Sequence, residues 1–365
     1  MRAIASTFPR STVAPMPLEQ VHQLAQRFSE AGLREVPLVR APDLDRRADS
    51  AGNVRVWLAL EALQTTGSFK VRGALVALDA IRTQRGRGAR VVAASAGNHG
   101  AGVAYAARVL DLSATIVMPQ GVPGAKRARI AGYGASVVIA ASDHYDDAET
   151  EARILAAETG AAFVSPYDDL DVVAGNGASL GFEIVRAMGG VPDVTLTPFG
   201  GGGLATGLAY AFADQTEGCK EAPSVWGVQS EASPAMALSL ERGEAIERLL
   251  VREPTMAEGL EGGISQRAFE RAREAIAGVI VANEAEIGGA MTYAYREIGL
   301  VLEGSAAVAL APLLYGVPEV VRASRGGEET DLVVVLTGRN VDCERLSTVS
   351  WSRGLRREWP ARPGS

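Results

Sequence analysis

Thr66-Gly67-Ser68-Phe69-Lys70 stands behind an apolar alternation, Val54, Val56, Leu58 and Leu60. A period of two marks a half-buried strand. A strand that runs into Gly-Ser carries the next residues to a sheet edge, where the sites of open α/β folds lie. Lys70 is the chemical group so delivered. A lysine near buried sheet loses hydration of its charge, so its pKa falls and the neutral amine becomes a nucleophile toward an aldehyde. Taken alone, Lys70 reads first as a solvated loop lysine. The surrounding stretches decide between the two.

Downstream, short apolar runs alternate with helical segments. Strands are predicted at Val91–Ala94, Ala114–Met118, Val137–Ile139 and Ala161–Val164, with helices at Asn98–Leu110, Lys126–Tyr133 and Asp146–Thr159 between or after them. A second series follows: a strand at Asp193–Pro198, a helix at Leu204–Asp214, and strands at Val225–Val228 and Asp331–Leu336. This alternation predicts right-handed βαβ units and parallel sheet. Residues 1–16 read as a loose arm, and Leu18, Val21, Leu24, Ala25 and Phe28 as the apolar face of a helix. The basic tail 353–365 carries two prolines and is expected to be mobile or to pack at an interface.

The totals exclude several classes. With 365 residues, 47% apolar, the chain can bury a sizeable core as one large or two moderate domains. The net charge of −7, with basic residues scattered, argues against a nucleic-acid partner. Apolar runs break before the length of a membrane span, and no secretory leader is expected at the N-terminus. Cys219 and Cys343 form no disulfide framework or metal-spaced cluster and read as thiols of a reducing compartment. A cytoplasmic protein is therefore expected.

Four further stretches carry chemistry. Gly200-Gly201-Gly202-Gly203 lies between a predicted strand and helix, where backbone N–H groups and the helix dipole can converge on a phosphate. Its partial match to a dinucleotide pattern through Gly200, Gly202 and Ala205 is weak, since no acidic ribose ligand is placed. Ser95-Ala96-Gly97-Asn98-His99-Gly100 offers N–H groups and a hydroxyl to a second anion, plausibly a carboxylate, though Ser95 and Asn98 also suit helix capping. Asn98 is a neutral donor within that loop. Thr337 ends the last strand as a hydroxyl that could simply close a turn, and Glu303 opens a small-residue helix, where an acid is favourable anyway.

A lysine, a phosphate cradle, an anion loop and a strand-end hydroxyl together describe a pyridoxal phosphate site. The chain resembles the fold-type II pyridoxal-phosphate enzymes, most closely the threonine/serine dehydratase and serine racemase group. The matching residues are Glu61, Gln64, Thr66 to Lys70, Arg72-Gly73-Ala74, Ser95 to Gly100, Gly200 to Gly203, Glu303-Gly304-Ser305, and Thr337-Gly338 with Asn340-Val341-Asp342. They occur in the family's order over roughly residues 34–345. The resemblance implies an α/β fold of two open, twisted, mainly parallel sheets flanked by helices. It implies a discontinuous cofactor domain, 1–82 plus 168–365, and a small mobile domain, 83–167. It implies that Lys70 holds pyridoxal 5'-phosphate and serves as the Cα base. Phe69 would pack on the ring and Asn98 would bond the ring hydroxyl. Gly200, Gly201, Gly202 and Gly203 would take the phosphate, Thr337 would face the ring nitrogen, and Glu303 would belong to the cofactor site. Ser95, Ala96, Gly97, Asn98 and His99 would receive the substrate carboxylate.

The implied activity is an ammonia-lyase acting on a β-hydroxy-α-amino acid such as threonine or serine. The implied partners are a small-molecule amino acid and further copies of the chain, as a homodimer or tetramer. Alternatives are another β-elimination or β-replacement enzyme of hydroxyaspartate or phenylserine dehydratase type, an amino-acid racemase, a dinucleotide-dependent oxidoreductase, and a non-catalytic binding protein. Departures from the family pattern fall at Ala59, at Val36-Pro37-Leu38 and at Gly175-Asn176-Gly177-Ala178, and they bear on substrate choice. Relatives that bind a cation use carboxylates in the stretch that here reads Gln229-Ser230-Glu231-Ala232-Ser233-Pro234-Ala235. Only Glu231 is acidic, so no tight divalent site is expected and Glu231 is the weak candidate. The C-terminal part leaves no room for a regulatory domain, so a catabolic role is expected. His22 and His144 match nothing.

Overall fold

The computed structural model describes residues 1–9, 18–25, 28–49, 52–216, 223–249, 254–316, 329–342, 346–347 and 349. Cys219, Cys343 and the tail 353–365 lie outside them. Among the described residues eleven strands are formed: β1 (Arg2–Ala5), β2 (Leu38–Arg40), β3 (Val54–Ala59), β4 (Arg90–Ala94), β5 (Ser113–Met118), β6 (Ser136–Ile139), β7 (Ala162–Phe163), β8 (Val194–Pro198), β9 (Ser224–Ser230), β10 (Gly278–Ala282) and β11 (Thr330–Val335). One sheet has seven strands in the order β1-β10-β9-β8-β11-β3-β2, and the other has four in the order β6-β5-β4-β7. The pairings β1–β10 and β2–β3 are antiparallel, and every other pairing is parallel.

Burial follows position in the sheet. Inside the large sheet, β11 is apolar without alternation from Leu332 on, and Val333, Val334 and Val335 are fully buried. That is the pattern of a parallel strand covered on both faces. β3 alternates in burial over its middle, with Val56 and Leu58 buried on one face and Trp57 half-buried on the other. Two corrections to the sequence reading follow. The supposed loose arm contains β1, an edge strand whose Ala3 pairs with Ile280. The predicted strand list also lacks β10, an unbroken Gly-Val-Ile-Val-Ala run that carries no alternation, and β2, which is too short to show a period.

The segment from Leu170 to Met188 is the spacer that sets the site. It runs as helix Leu170–Val173, a wider π turn Ala174–Ala178 and helix Ser179–Met188. On one side Gly73 approaches it so closely that an added Cβ would lie 2.7 Å from the Asn176 side chain. On the other, a Cβ on Gly177 would lie 2.6 Å from Gly207. Asn176 Oδ1 also accepts the Gly73 N–H at 3.0 Å. Within the 175–178 stretch, Gly175 and Gly177 allow close backbone approach, and Asn176 holds the lysine helix Lys70–Arg85 through its side chain. Among the described residues, no helix is long and apolar enough to cross a membrane.

Candidate active site

The candidate residues gather at the carboxyl ends of strands. β8, β11 and β3 are neighbours in the large sheet, and they lead respectively into Gly200–Gly203, Thr337 and Lys70. β4 of the small sheet leads into Ser95–His99. Lys70 opens the helix Lys70–Arg85. The turn before it needs glycine, because Gly67 has φ +72°. The turn is fastened to the end of β11: Phe69 N–H donates to Thr337 O at 3.1 Å, and Arg339 N–H donates to Gly67 O at 3.0 Å. Thr337 is brought beside the lysine turn by these two bonds.

Lys70 Nζ lies 5.1 Å from the centre of the Phe69 ring. The helix Asn98–Leu110 presses on its backbone, since a Cβ on Gly102 would stand 3.0 Å from Lys70 O. Loss of hydration lowers the Lys70 amine to a pKa of about 8, with the Glu303 charge acting the other way. The same burial, reinforced by the Lys70 charge, lowers His99 to about 3, so this imidazole is neutral. His99 Nε2 lies 3.2 Å from Val164 O, a contact that fixes the proton on Nε2 and leaves buried Nδ1 as an acceptor without a protein partner.

Asn98, Glu303 and Asn340 form one network. Asn98 Nδ2 donates to Glu303 Oε1 at 2.8 Å, and Asn340 Nδ2 donates to Asn98 Oδ1 at 2.6 Å and to Thr66 O at 3.0 Å. Asn340 N–H donates to the other Glu303 oxygen at 3.2 Å. Burial raises the Glu303 pKa, while these hydrogen bonds and the charges of Lys126 and Arg129 pull it down. The network ties the loop after β4 to the loops after β3 and β11. Ser95 Oγ accepts the N–H groups of Gly97 at 3.0 Å and Gly100 at 2.8 Å, so it does cap the helix. Its own O–H remains a donor for a ligand. Ala96 is exposed.

The glycine run bends at Gly202, with φ +82°, and the helix Gly203–Gln215 starts immediately after. The run is closely walled. A Cβ on Gly201 would lie 2.7 Å from Tyr167, and one on Gly202 would lie 2.8 Å from Phe199. Tyr167 donates its hydroxyl to Glu149 at 3.2 Å, which links the cradle to the helix Tyr145–Thr159 of the small sheet.

Several contributors were not singled out by sequence. Arg72 is fully buried two residues after Lys70 and makes paired hydrogen bonds to Glu61 at 2.9 Å and to Glu183 at 2.6 and 2.8 Å. Desolvation opposes its charge, but the two carboxylates more than offset this and raise its pKa. Glu61 and Arg72 stood in the matched motif, whereas Glu183 is more than a hundred residues away and gave no signal. Asn340 likewise stood in the motif, but its bridging amide is visible only in three dimensions. A cavity of about 380 Å³ lies on the outer side of Asn340, lined by Lys126, Arg129, Arg339 and Asp342. Glu231 is exposed and lies away from any cluster, and among the described residues no group of three or more His, Cys, Asp or Glu could hold a metal. His22 packs edge-on against Phe182.

Residues 30–338 match the family model described as pyridoxal-phosphate dependent enzyme. The chain is 36% identical to an L-threonine ammonia-lyase of Thermotoga maritima over 299 residues, covering 80% of this chain and 69% of the relative. It is 34% identical to a catabolic L-threonine dehydratase of Staphylococcus aureus, covering 87% of each. The solved structure of processed threonine deaminase isoform 2 from Solanum lycopersicum superposes with a TM-score of 0.81 at 28% identity, covering 97% of this chain and 92% of that one. With its lysine, glycine cradle and strand-end hydroxyl converging at the carboxyl ends of adjacent strands, the chain belongs to the family of pyridoxal-phosphate dependent enzymes of fold type II, and it is a lyase of the threonine dehydratase kind.

Proposed function

We propose that this protein converts a β-hydroxy-α-amino acid, threonine or serine foremost, to a 2-oxo acid and ammonia. The carrying observation is the convergence of a dehydrated Lys70, the Gly200–Gly203 cradle and the neutral hydroxyl of Thr337 from β3, β8 and β11. The residues present suit the cofactor. A Cβ at Gly201 or Gly202 would run into Tyr167 or Phe199, so the run carries no side chain that could cover its backbone N–H groups. Ser68 Oγ and His99 Nδ1 are buried without a protein partner on either side of the lysine site.

On this reading Lys70 holds pyridoxal phosphate, the cradle N–H groups take its phosphate, and Phe69, Asn98, Glu303 and Thr337 surround its ring. When bound, the cofactor supplies the electron sink that makes a Cα–H bond breakable. Ser95, Ala96, Gly97, Asn98 and His99 orient the substrate carboxylate through the N-terminus of their helix. Released by the substrate's own amine, Lys70 would be a base poised near pH 8 that takes the Cα proton and can return it to the departing hydroxyl. Neutral His99 competes for no proton. Thr337 offers the ring a shared hydrogen bond rather than an ionic one, which is about half as strong and suits elimination over a long-lived carbanion. Residues 83–167, which enclose the whole small sheet, are read as the unit that closes over the substrate. The reading extends to a cytoplasmic homo-oligomer, supported by the exposed apolar side chains Tyr295, Val301 and Tyr315.

The test is keto-acid release from L-threonine and L-serine. Wild-type protein should carry a visible absorption band, fixed by borohydride to Lys70, and Lys70→Ala should release no keto acid. D-isomer formation should be minor, because Ala96 has no proton to offer at the face opposite Lys70. Keto-acid release by Lys70→Ala at the wild-type rate, or racemisation as fast as elimination, would overturn the proposal.

A further inference from the structure

We propose that Asn176 is a positioning residue: from the π turn between two helices it holds Lys70 at the reach that the phosphate cradle requires. This rests on the cofactor reading above. The turn Ala174–Ala178 stands between the helix Lys70–Arg85, which opens with the lysine, and the helix Gly203–Gln215, which opens behind the cradle. A Cβ on Gly175 would lie 2.7 Å from Gly73 Cα, and one on Gly207 would lie 2.7 Å from Gly177 Cα. One short turn therefore meets both helices backbone to backbone. Turns of this width are rare, occur singly and are frequent at functional sites. This one is fastened by Ser179, whose N–H reaches back to Ala174 O and whose hydroxyl donates to Gly175 O at 2.5 Å.

Glycine contacts fix how closely the helices approach, but dispersion has no direction, and two smooth surfaces can slide. A hydrogen bond has direction. Asn176 is 1% exposed, and its Oδ1 accepts the Gly73 N–H at 3.0 Å. Gly73 stands three residues after Lys70, one turn along the same face of the helix. Its N–H belongs to the first turn, where a helix leaves donors unpaired, and Phe69 at the N-cap supplies no side-chain acceptor. Asn176 is thus a remote cap that grips the lysine helix by its backbone. Arg72 also reaches this segment, through Ser179 and Glu183, but from the far end of a long side chain. On the cradle side the contact is glycine on glycine and involves no Asn176 bond. Loss of the Asn176 acceptor should therefore move Lys70 relative to the cradle and leave the cradle itself in place.

The experiment reads the two anchors separately in the full chain freed of cofactor. Pyridoxine 5'-phosphate, which has no aldehyde, reports the cradle through its ³¹P signal. Pyridoxal 5'-phosphate at saturation reports Lys70 through the rate at which the visible band appears, taken at the high-pH plateau where the amine is neutral. Asn176→Leu removes the acceptor at similar volume. It should slow band formation on the order of tenfold, the effect of a displaced nucleophile, and leave pyridoxine 5'-phosphate affinity within about twofold. Asn176→Asp keeps an oxygen acceptor whether or not it is ionised, and should restore the band rate. Should Asn176→Leu fail to fold, Asn176→Ala removes the acceptor without bulk and should show the same split. A merely structural role would weaken both anchors in proportion. That result, a wild-type band rate without the acceptor, or an Asn176→Asp rate as slow as that of Asn176→Leu, overturns the inference. A wild type that forms no band with pyridoxal 5'-phosphate would instead remove the cofactor reading itself.

Discussion

Lys70 should titrate near pH 8 in the cofactor-free protein. Its surroundings remove water from the ammonium and offer it a single nearby carboxylate, Glu303, which is itself shared between Asn98 and Asn340. Against a usual lysine pKa of about 10.4, a value of about 8 raises the neutral fraction at pH 7 from about 0.04% to about 9%, a gain of roughly 230-fold. The sequence holds three lysines, Lys70, Lys126 and Lys220, so the measurement is tractable. Reductive methylation with ¹³C-formaldehyde should give a resonance that is missing from Lys70→Arg and that titrates near 8. Glu303→Gln removes the charge that favours the ammonium, so the same resonance should then titrate lower still. The linkage has a definite sign. A depressed folded pKa means the folded state gives up this proton first, so stability rises between about pH 8 and the unfolded value and is lost below. A Lys70 resonance titrating near 10.4, or one raised by Glu303→Gln, would refute the argument.

Arg72→Met leaves Glu61 and Glu183 buried together without their cation, a loss of about 3–5 kcal/mol for a broken buried ion network. For 365 residues at roughly 2.1 cal/mol/K each, calorimetry should show a melting point lower by about 4–7 °C. The deficit should grow as pH rises through the carboxylate range, because burial already raises the Glu61 pKa and protonation relieves the repulsion. A change under about 1 °C would show the network to be dispensable. Gly201→Ala places a methyl 2.7 Å from the Tyr167 side chain and should weaken cofactor binding at least about tenfold. Adding Tyr167→Ala should restore part of that loss, so titration of the double variant should be non-additive, and strict additivity would rule out the contact.

Much of the site was legible because its chemistry is local. A glycine run between strand and helix, a Gly-Ser turn ahead of a lysine and a hydroxyl at a strand end each follow from bonds within a few residues. The parallel βαβ alternation was legible for the same reason, since each strand and its helix carry their own period. Where the sequence failed, the decisive partner was remote. β1 is a strand only because β10 offers it an edge, and β10 itself is an apolar run with no period to betray it.

The amino-acid sequence by itself determined the candidate groups and their order, because propensity, turn chemistry and burial period are properties of neighbours along the chain. Only the tertiary structure decided their company. It set Glu183 against Arg72, closed Asn98, Glu303 and Asn340 into one network, and put the Asn176 amide against the lysine helix. The physical reason is that a hydrogen bond or an ion pair depends on distance in space, which the fold alone supplies. The lowered pKa of Lys70 belongs to the same class: desolvation is imposed by helices that pack over it, and no residue beside it in the chain could impose it alone.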